Sequence, residues 1–205
     1  MEVSLATLAS PPTPLGGEAL TLRPFEESDR AGLETLLDQP RLYRRRVVDC
    51  VCERPRIAWS SARRTFVVSH GDGILGVAEL VRDEDEPDVW SLAVTLDHHA
   101  HVGDGGRCAA ALVDYAFRVL KAEGVWFWVR RDNIAVQRFG ARLGFACLFD
   151  MKVPGGAPAE YFEVDRERWS AARPAALAHY LSRPVQISDG VHRFRGEAGE
   201  FHEVR

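Results

Sequence analysis

The stretch from Thr95 to Leu112, TLDHHAHVGDGGRCAAAL, holds residues whose types and spacing suggest a binding site. Gly103, Gly105 and Gly106 lie between an apolar run and an alanine-rich run, which predicts a turn from a strand into a helix. The first amides of a helix lack internal partners, and they bind phosphate oxygens when no side chain blocks the approach. A tight turn without a ligand is the equal alternative, because so short a pattern is weakly specific.

A metal site is another alternative, because the same stretch holds three histidines, His98, His99 and His101. A metal ion needs three or four ligands in fixed geometry, whereas neighbouring side chains of an extended loop point in opposite directions. We therefore expect no metal here. A histidine that acts as a base or as a phosphate-side donor near neutral pH is the better alternative.

Glu79 is a candidate general base upstream of this stretch. It shares a predicted strand face with Val77 and Val81, because side chains two residues apart in a strand point the same way. A carboxylate directed into a protein is unusual, and it is more often functional than one in a solvated loop.

The elements before the glycine-rich stretch are predicted to be mainly strands. LTLRPF alternates as a strand does, and Ser28 is expected to cap a helix. The apolar face of that helix would be formed by Ala31, Leu33, Leu36 and Leu37. TFVVSHGDGILGVAELVRD predicts a hairpin, and the continuously apolar VWSLAVTL predicts a central strand.

The elements after it are predicted to alternate. RCAAALVDYAFRVLKAEG has helical spacing and a candidate left-handed cap at Gly124, and NIAVQRFGARLG predicts a helix from Asn133 to Gly144. Between them, VWFWV predicts a strand whose aromatic residues belong to the core of the sheet. ACLFDMKV and EYFEVDRERW predict a final strand pair, ARPAALAHYL a short helix, and PVQISDGVHRF a hairpin around Asp189-Gly190.

This order predicts an α/β (α+β) fold with a mixed sheet of six or seven strands and helices on both faces. The chain has 205 residues, of which 46% are hydrophobic, enough for one core. We expect a loose leader over 1–18, a main domain over 19–169, and an extension over 170–205. The extension would pack on the domain, cover a site or join a homodimer.

The composition argues against several classes of partner. A formal net charge of -4 provides no positive field for nucleic acid or an anionic membrane, and the arginines of RLYRRR are expected to be solvated. No run approaches the length of a membrane span, and the first residues lack a signal-peptide pattern, so we expect a cytoplasmic protein. The four cysteines form no CxxC pair and are expected to be free thiols.

Two motifs, in this order along the chain, resemble the GNAT acetyltransferase superfamily. AHVGDG resembles the family's Q/R-x-x-G-x-G/A pattern at Gly103 and Gly105, and Asn133 with LGF at 143–145 resembles its second motif. The resemblance runs from LTLRPFEESDRAGLETLL to about Trp169. It implies a GNAT fold, acetyl-CoA as co-substrate, and direct acetyl transfer to a primary amine of a small molecule, a protein lysine or a protein N-terminus.

The resemblance also implies roles for individual residues. The main chain of Leu92, Ala93 and Val94 would hold the pantetheine arm, and an amide near Leu92 would polarise the thioester carbonyl. Asp88 resembles the base position of protein-acetylating members, although a solvated carboxylate in an acidic turn is the alternative. Asn133 would lie on the acetyl-CoA side. The diphosphate would meet amides of His101, Val102, Gly103, Asp104, Gly105, Gly106 and Arg107.

Three residues depart from the family pattern. Ala100 stands where Gln or Arg is usual, and Asp104 brings a carboxylate toward the diphosphate, which Arg107 would offset. Gly140 occupies the position of the usual tyrosine donor, which leaves Tyr115 or Tyr161 as substitutes. These departures support a second hypothesis, a non-catalytic acyl-CoA-binding or regulatory module. A third is a domain that no longer binds CoA and assembles through its tail.

Overall fold

The structure is a computed structural model that describes residues 19–38, 58–71, 73–97, 100–152 and 156–204. In chain order, its α-helices and strands are β1 (Leu20–Pro24), α1 (Arg30–Leu37), β2 (Arg63–His70), β3 (Gly73–Arg82), β4 (Val89–Leu96), α2 (Asp104–Arg118), β5 (Gly124–Arg130), α3 (Ile134–Arg142), β6 (Ala146–Lys152), β7 (Pro158–Asp165), α4 (Arg166–Tyr180), β8 (Val185–Ser188), β9 (Arg193–Glu197) and β10 (Glu200–Val204), and a short 3-10 helix (Glu27–Asp29) precedes α1.

All these strands belong to one mixed sheet in the order β10-β9-β8-β1-β2-β3-β4-β5-β7-β6. The predicted mixed sheet with flanking helices is confirmed, but the expected six or seven strands are too few because the described residues form ten. The additional strands come from the end of the chain, where β8 pairs parallel with β1 from Leu20↔Val185 to Leu22↔Ile187. The hairpin predicted around Asp189-Gly190 joins β8 to β9.

The two faces of the sheet carry different helices. We call the side that packs on α2 the α2 face and the opposite side the α1 face. Alternate residues of β2, β3 and β4 point to the α2 face and form the main core with α2, α3 and α4, as the period of a strand requires. On the α1 face, a smaller cluster joins the leucines of α1 to Val67 and Val77.

Helix α2 is buried on all sides, from Asp104 to Phe117. Its alanine-rich sequence suits this position, since small side chains let the sheet and α4 approach the helix closely. At Gly106, an added Cβ would lie 2.7 Å from Cε1 of Tyr180, so the ring occupies the space that a side chain would need. Gly106 therefore permits the contact between α2 and α4.

The first helix begins differently from its prediction. Ser28 is exposed. In the turn before α1, the Asp29 carboxylate accepts a hydrogen bond from the Glu26 N–H at 2.8 Å. Asp29 also pairs with Arg23 at 2.7 Å, so its carboxylate connects the turn before α1 to β1. Ala31 is exposed, and the other three predicted core residues of α1 are buried.

Two later boundaries also differ. Helix α2 ends at Arg118, and the left-handed residue after it is Lys121, with φ 59°. Gly124 is instead the first residue of β5, where an added Cβ would lie 3.2 Å from Oε1 of Glu163. Helix α4 begins at Arg166 because the Asp165 carboxylate accepts the Arg168 N–H at 2.7 Å, so this helix crosses the 169/170 boundary.

Several sequence predictions lie outside the described residues. These are the leader over 1–18, the arginine-rich segment that follows Pro40, and Cys50 with Cys52. Of the described cysteines, Cys108 is buried and Cys147 exposed, and both are free thiols. None of the helices in the described ranges combines the length and the apolar character that a membrane crossing needs.

Candidate functional site

Strands β4 and β5 pair only at one end. Their parallel register runs from Val89↔Gly124 to Ser91↔Trp126 and stops there within the described residues. β4 continues to Leu96 and stays paired with β3 throughout. The two strands therefore diverge beyond Ser91, and we call the opening the β4–β5 gap.

The first residues of β4 along this gap are Leu92, Ala93 and Val94. Leu92 and Val94 are fully buried on the α2 face, while Ala93 is partly exposed on the α1 face. The resemblance assigned the pantetheine arm to the main chain of these residues. Their backbone borders the gap, and the assignment stays a prediction.

Glu79 lies on the α1 face beside the gap. It is the register partner of Ala93, and direct partners in an antiparallel pair share a face. Its carboxylate is buried and accepts hydrogen bonds from Arg63 Nη1 at 2.8 Å and from Thr65 Oγ1 at 3.2 Å. The arginine provides the opposite charge that a buried carboxylate requires, so the side chain is fixed where the gap opens.

Asp88, the other predicted base, lies in the turn that precedes β4. Its side chain is 72% exposed, and its Oδ1 is 3.7 Å from Arg82 Nη2. Five residues of extended chain, about 16 Å, separate it from Ala93. The structure thus places Glu79 beside the gap and Asp88 at the other end of the strand.

The turn before α2 presents a group of backbone amides. Gly103 has φ 98° and open space where a Cβ would stand. The N–H groups of Val102, Gly103, Gly105 and Gly106 donate no backbone hydrogen bond to the described part of the chain. We call these four amides the amide cradle. Their position at a helix N-terminus suits a diphosphate, because the helix dipole adds partial positive charge there.

The other three amides of the predicted loop are engaged within the protein. His101 N–H donates to Asp104 Oδ2 at 2.9 Å, and Asp104 N–H donates to the His101 carbonyl at 3.0 Å. Arg107 N–H donates to the Gly103 carbonyl at 2.9 Å. Of the seven residues predicted from the sequence, four therefore have amides without a backbone acceptor in the described part of the chain: Val102 and Gly103 are exposed, and Gly105 and Gly106 lie in the buried first turn of α2.

Asp104 points into the protein and is fully buried. Its Oδ1 accepts a hydrogen bond from Arg107 Nη1 at 2.8 Å and lies 3.6 Å from Arg183 Nη2. On its other side, Oδ2 lies 3.4 Å from His70 Nε2. Two guanidinium groups therefore offset the carboxylate that the sequence placed beside the diphosphate, and the local field is not that of an isolated anion.

Arg107 connects this loop to the end of the chain. Its side chain is nearly buried, and Nη2 donates to the Pro184 carbonyl at 2.6 Å, just before β8. The sequence left the direction of Arg107 open between a ligand contact and solvent. The side chain takes neither direction, because Asp104 and Pro184 hold it inside.

Asn133 and the LGF motif form the two ends of α3. Asn133 is the N-cap, and its Oδ1 accepts the Val136 N–H at 3.4 Å. Gly144 follows the helix with φ 82°, and its missing Cβ lets the chain pass close to Ala172 of α4. The helix runs from Ile134 to Arg142, within two residues of its predicted limits at each end, while a contact of Asn133 with acetyl-CoA stays a prediction.

Gly140 occupies the position of the usual tyrosine donor, and a neighbouring ring fills the space that a side chain there would need. A Cβ there would lie 2.8 Å from Cζ of Phe127 in β5. This close packing of α3 on the sheet leaves no room for a tyrosine.

The substitute donors have other partners. Tyr115 is buried in α2, about 16 Å along the helix from Asp104, and donates to Asp189 Oδ2 at 2.9 Å. Tyr161 donates to Glu163 Oε2 at 3.2 Å. Burial and then the neighbouring carboxylate raise the pKa of each hydroxyl above its ordinary value, so each holds its proton tightly.

The aromatic run of β5 divides between the two faces. Phe127 is buried in the main core, and Trp128 is buried on the α1 face. Trp126, the last residue of β5 that pairs with β4, is only partly buried on the α1 face. Sequence reasoning assigned the whole run to the core, and alternation along the strand was the signal that one ring borders the gap.

A metal site finds no support among the described residues, which contain no cluster of three His, Cys, Asp or Glu side chains suited to an ion. His101 is exposed, and its ring centroid lies 5.8 Å from that of His70. His98 and His99 fall outside the described ranges.

The comparisons with known proteins agree with this geometry. A family model described as an acetyltransferase (GNAT) domain matches residues 19–146. A search of the curated proteins finds no match.

Solved structures with the same fold include acetyltransferases bound to CoA. One is the spermidine N-acetyltransferase of Vibrio cholerae in complex with CoA and spermine, with 16% identity over 74% of this chain and 98% of that chain and a TM-score of 0.59. Another is the aminoglycoside acetyltransferase AAC(6')-Ib in complex with coenzyme A and kanamycin, with 19% identity over 76% and 99% and a TM-score of 0.59. At these identities, the likeness shows the fold.

Proposed function

Because this chain belongs to the GNAT acetyltransferase family, we propose that it is an N-acetyltransferase that moves an acetyl group from acetyl-CoA to a primary amine of a small molecule. In the balanced reaction, the amine nitrogen forms a bond to the acetyl carbon and the C–S bond breaks. The products are the N-acetyl amine and free CoA thiol, whose sulfur takes up a proton. The observation that carries the proposal is the β4–β5 gap beside the amide cradle.

The residues on the donor side fit acetyl-CoA, which would supply the activated acetyl group. The amide cradle would hold the diphosphate, with no side chain at Gly103 in its way. The backbone of Leu92, Ala93 and Val94 would hold the pantetheine arm along the gap. Both roles belong to main-chain groups, so the side chains that depart from the family pattern do not remove them.

Glu79 would accept the proton that the amine releases, through a water molecule. It is the carboxylate fixed beside Ala93, on the side of the sheet where an acceptor would approach β4. Asp88 is the weaker candidate because it is solvated and distant from the gap. A positioned base of this kind contributes about 10²- to 10⁴-fold to a rate.

A small-molecule amine is the preferred class of acceptor. The spermidine N-acetyltransferase is described with spermine and AAC(6')-Ib with kanamycin, and both molecules are small amines with several amino groups. A protein lysine or N-terminus is the alternative acceptor.

The packing of Gly140 against Phe127 favours a second candidate, a non-catalytic acyl-CoA-binding module. Without a donor at this position, the departing sulfur would need a proton from solvent. Calorimetric titration with acetyl-CoA, followed by an assay of CoA release with a panel of amines, separates the two. Tight binding without turnover of any amine supports the module.

The base assignment is tested with Glu79→Gln and Asp88→Asn, and Glu84→Gln in the same acidic turn is the control. We expect kcat to fall by about 10²-fold or more only in Glu79→Gln, because the amide keeps the shape of the carboxylate but cannot take up a proton. Acetyl-CoA affinity should change little, whereas the unfolding temperature should fall because Arg63 loses its charged partner, so kcat is measured well below that temperature. A loss of kcat in Asp88→Asn with full activity in Glu79→Gln would reverse the assignment.

A further inference from the structure

A row of stacked aromatic rings crosses the α1 face beside the β4–β5 gap. The Trp126 and Tyr161 ring centroids are 5.2 Å apart, and those of Tyr161 and Phe149 are 4.6 Å apart. These rings stand on β5, β7 and β6, which are consecutive strands of the sheet. Phe149 is 53% exposed, so the row is accessible at its outer end.

Trp126 forms the inner end of this row and faces the gap. Tyr161 covers the ring on the β7 side, with an interplanar angle of 26°, and β5 lies between β7 and β4. The opposite ring face is therefore directed toward β4. Trp126 also belongs to the last pair of residues before β4 and β5 diverge.

Small side chains separate Trp126 from Glu79. Ser91 and Ala93 point to the α1 face of β4, between Glu79 on β3 and Trp126 on β5. Two strand spacings, about 10 Å, span this trough. The face of the indole attracts an ammonium group, and the Glu79 carboxylate on the opposite wall, which Arg63 already pairs, provides a hydrogen-bond acceptor for it.

A second carboxylate, Glu163, lies beside the row. It is the register partner of Trp126 and accepts the Tyr161 hydroxyl at 3.2 Å. Besides burial, the carboxylates of Glu163, Asp83 and Glu86 raise the pKa of Tyr161, so several negative charges lie near its hydroxyl.

Glu163 differs in this respect from the neighbouring acidic residues. Asp150 and Glu160 both form ion pairs with Arg131. In the described part of the chain, no lysine or arginine forms an ion pair with Glu163, whose hydrogen-bonding partner there is the Tyr161 hydroxyl. A cationic ligand would complete this site.

We propose that the acceptor carries at least two ammonium groups, and that Glu163 with the aromatic row binds the one that does not react. This inference rests on the proposed function. The reacting amine lies in the trough between Glu79 and Trp126, and the second cation lies over Tyr161 and Glu163. Glu79 and Glu163 stand three strand spacings apart, about 14 Å across the sheet, which suits an extended oligoamine.

Matched acceptors test this proposal. Each is an α,ω-diamine or the amino alcohol of the same chain length, so that a hydroxyl replaces only the second ammonium group. With the full-length protein and acetyl-CoA, we expect kcat/KM to be about tenfold or more higher for the diamine, mainly through a lower KM. Equal values for the two acceptors over chain lengths from four to eight carbons would overturn the proposal.

Variants of Glu163 and of a neighbouring glutamate test where the second ammonium group binds. In Glu163→Gln, the ratio of kcat/KM for diamine to amino alcohol should fall toward one, because the amide has no charge. Glu160→Gln, on the same strand, should keep the ratio of the unmodified protein. A preference that persists in Glu163→Gln, or one that is lost equally in Glu160→Gln, would place the second cation elsewhere and overturn the assignment.

Trp126→Leu and Trp126→Phe test the inner end of the row. We expect KM for both acceptors to rise in Trp126→Leu and to recover largely in Trp126→Phe, because phenylalanine restores a ring face toward the trough. Equal KM values in the two variants would remove Trp126 from the site.

The same assay distinguishes failure of this inference from failure of the proposed function. Turnover of amines without a preference for diamines would support the proposed acetyltransferase activity and refute the two-cation acceptor. Acetyl-CoA binding without turnover of any amine refutes both.

Discussion

Replacing Asp104 by alanine should lower the free energy of unfolding by about 3–5 kcal/mol. The carboxylate is fully buried, accepts the His101 N–H, and is 2.8 Å from Arg107 Nη1. Without it, the Arg107 guanidinium stays buried with only the Pro184 carbonyl as partner. Arg183 compensates little, because its side chain is 54% exposed and it already has access to water.

Urea unfolding followed by tryptophan fluorescence measures this loss. With a slope of about 1–3 kcal/mol per molar urea, a loss of about 3 kcal/mol moves the midpoint by about 1–3 M. Arg107→Met leaves the carboxylate buried without its main partner and should also destabilise. The double variant leaves neither charge, so we expect its loss to be smaller than the sum of the single losses by about 1–3 kcal/mol.

Asp150→Ala serves as the control, because Asp150 pairs with Arg131 at an exposed position. Its loss should stay below about 1 kcal/mol. The reasoning about the buried pair is refuted if Asp104→Ala costs no more than this control, or if the two single losses add in the double variant.

Two further predictions concern packing and alkaline pH. Gly140→Ala should lower the free energy of unfolding by about 1–3 kcal/mol, because the new Cβ would lie 2.8 Å from Cζ of Phe127; an unchanged thermal midpoint would contradict this. Tyr115→Phe should cost about 0.5–1.5 kcal/mol at neutral pH through the lost hydrogen bond to Asp189. Burial raises the pKa of Tyr115 in the folded state. The neutral hydroxyl therefore contributes fully to the free energy of unfolding below the pKa of the unfolded state, near 10, and this contribution is lost as the pH rises above that value. Urea midpoints across that range should therefore fall less in Tyr115→Phe than in the unmodified protein, and equal slopes would exclude Tyr115 as the cause.

Local sequence patterns were sufficient for much of the fold. The continuously apolar run VWSLAVTL and the helical spacing after Gly106 predicted β4 and α2, because both patterns depend on neighbours within a few residues. Asn133 and Gly144 marked the ends of α3 for the same reason. The turn of glycines likewise indicated where backbone amides would be available.

Contacts between distant segments could not be predicted in this way. The pairing of Glu79 with Arg63 depends on the register of β2 and β3, and the inward direction of Asp104 depends on Pro184 and Arg183 from the end of the chain. The parallel pairing of β8 with β1 joins segments more than 150 residues apart, for which no local period exists. At Gly124 the local pattern itself was misleading, because the glycine that suggested a helix cap begins a strand.

The burial of α2 from every direction has a consequence for the nascent chain. A ribosome that has released only the segment through β7 has produced this alanine-rich helix but not α4, which covers its outer side. Nor has it produced Pro184, whose carbonyl holds Arg107. At about 5–20 residues per second, the missing segment follows within a few seconds, during which an apolar surface stays open to aggregation and to chaperones. The glycine turn therefore reaches its final packing only after the segment through Pro184 has been synthesised.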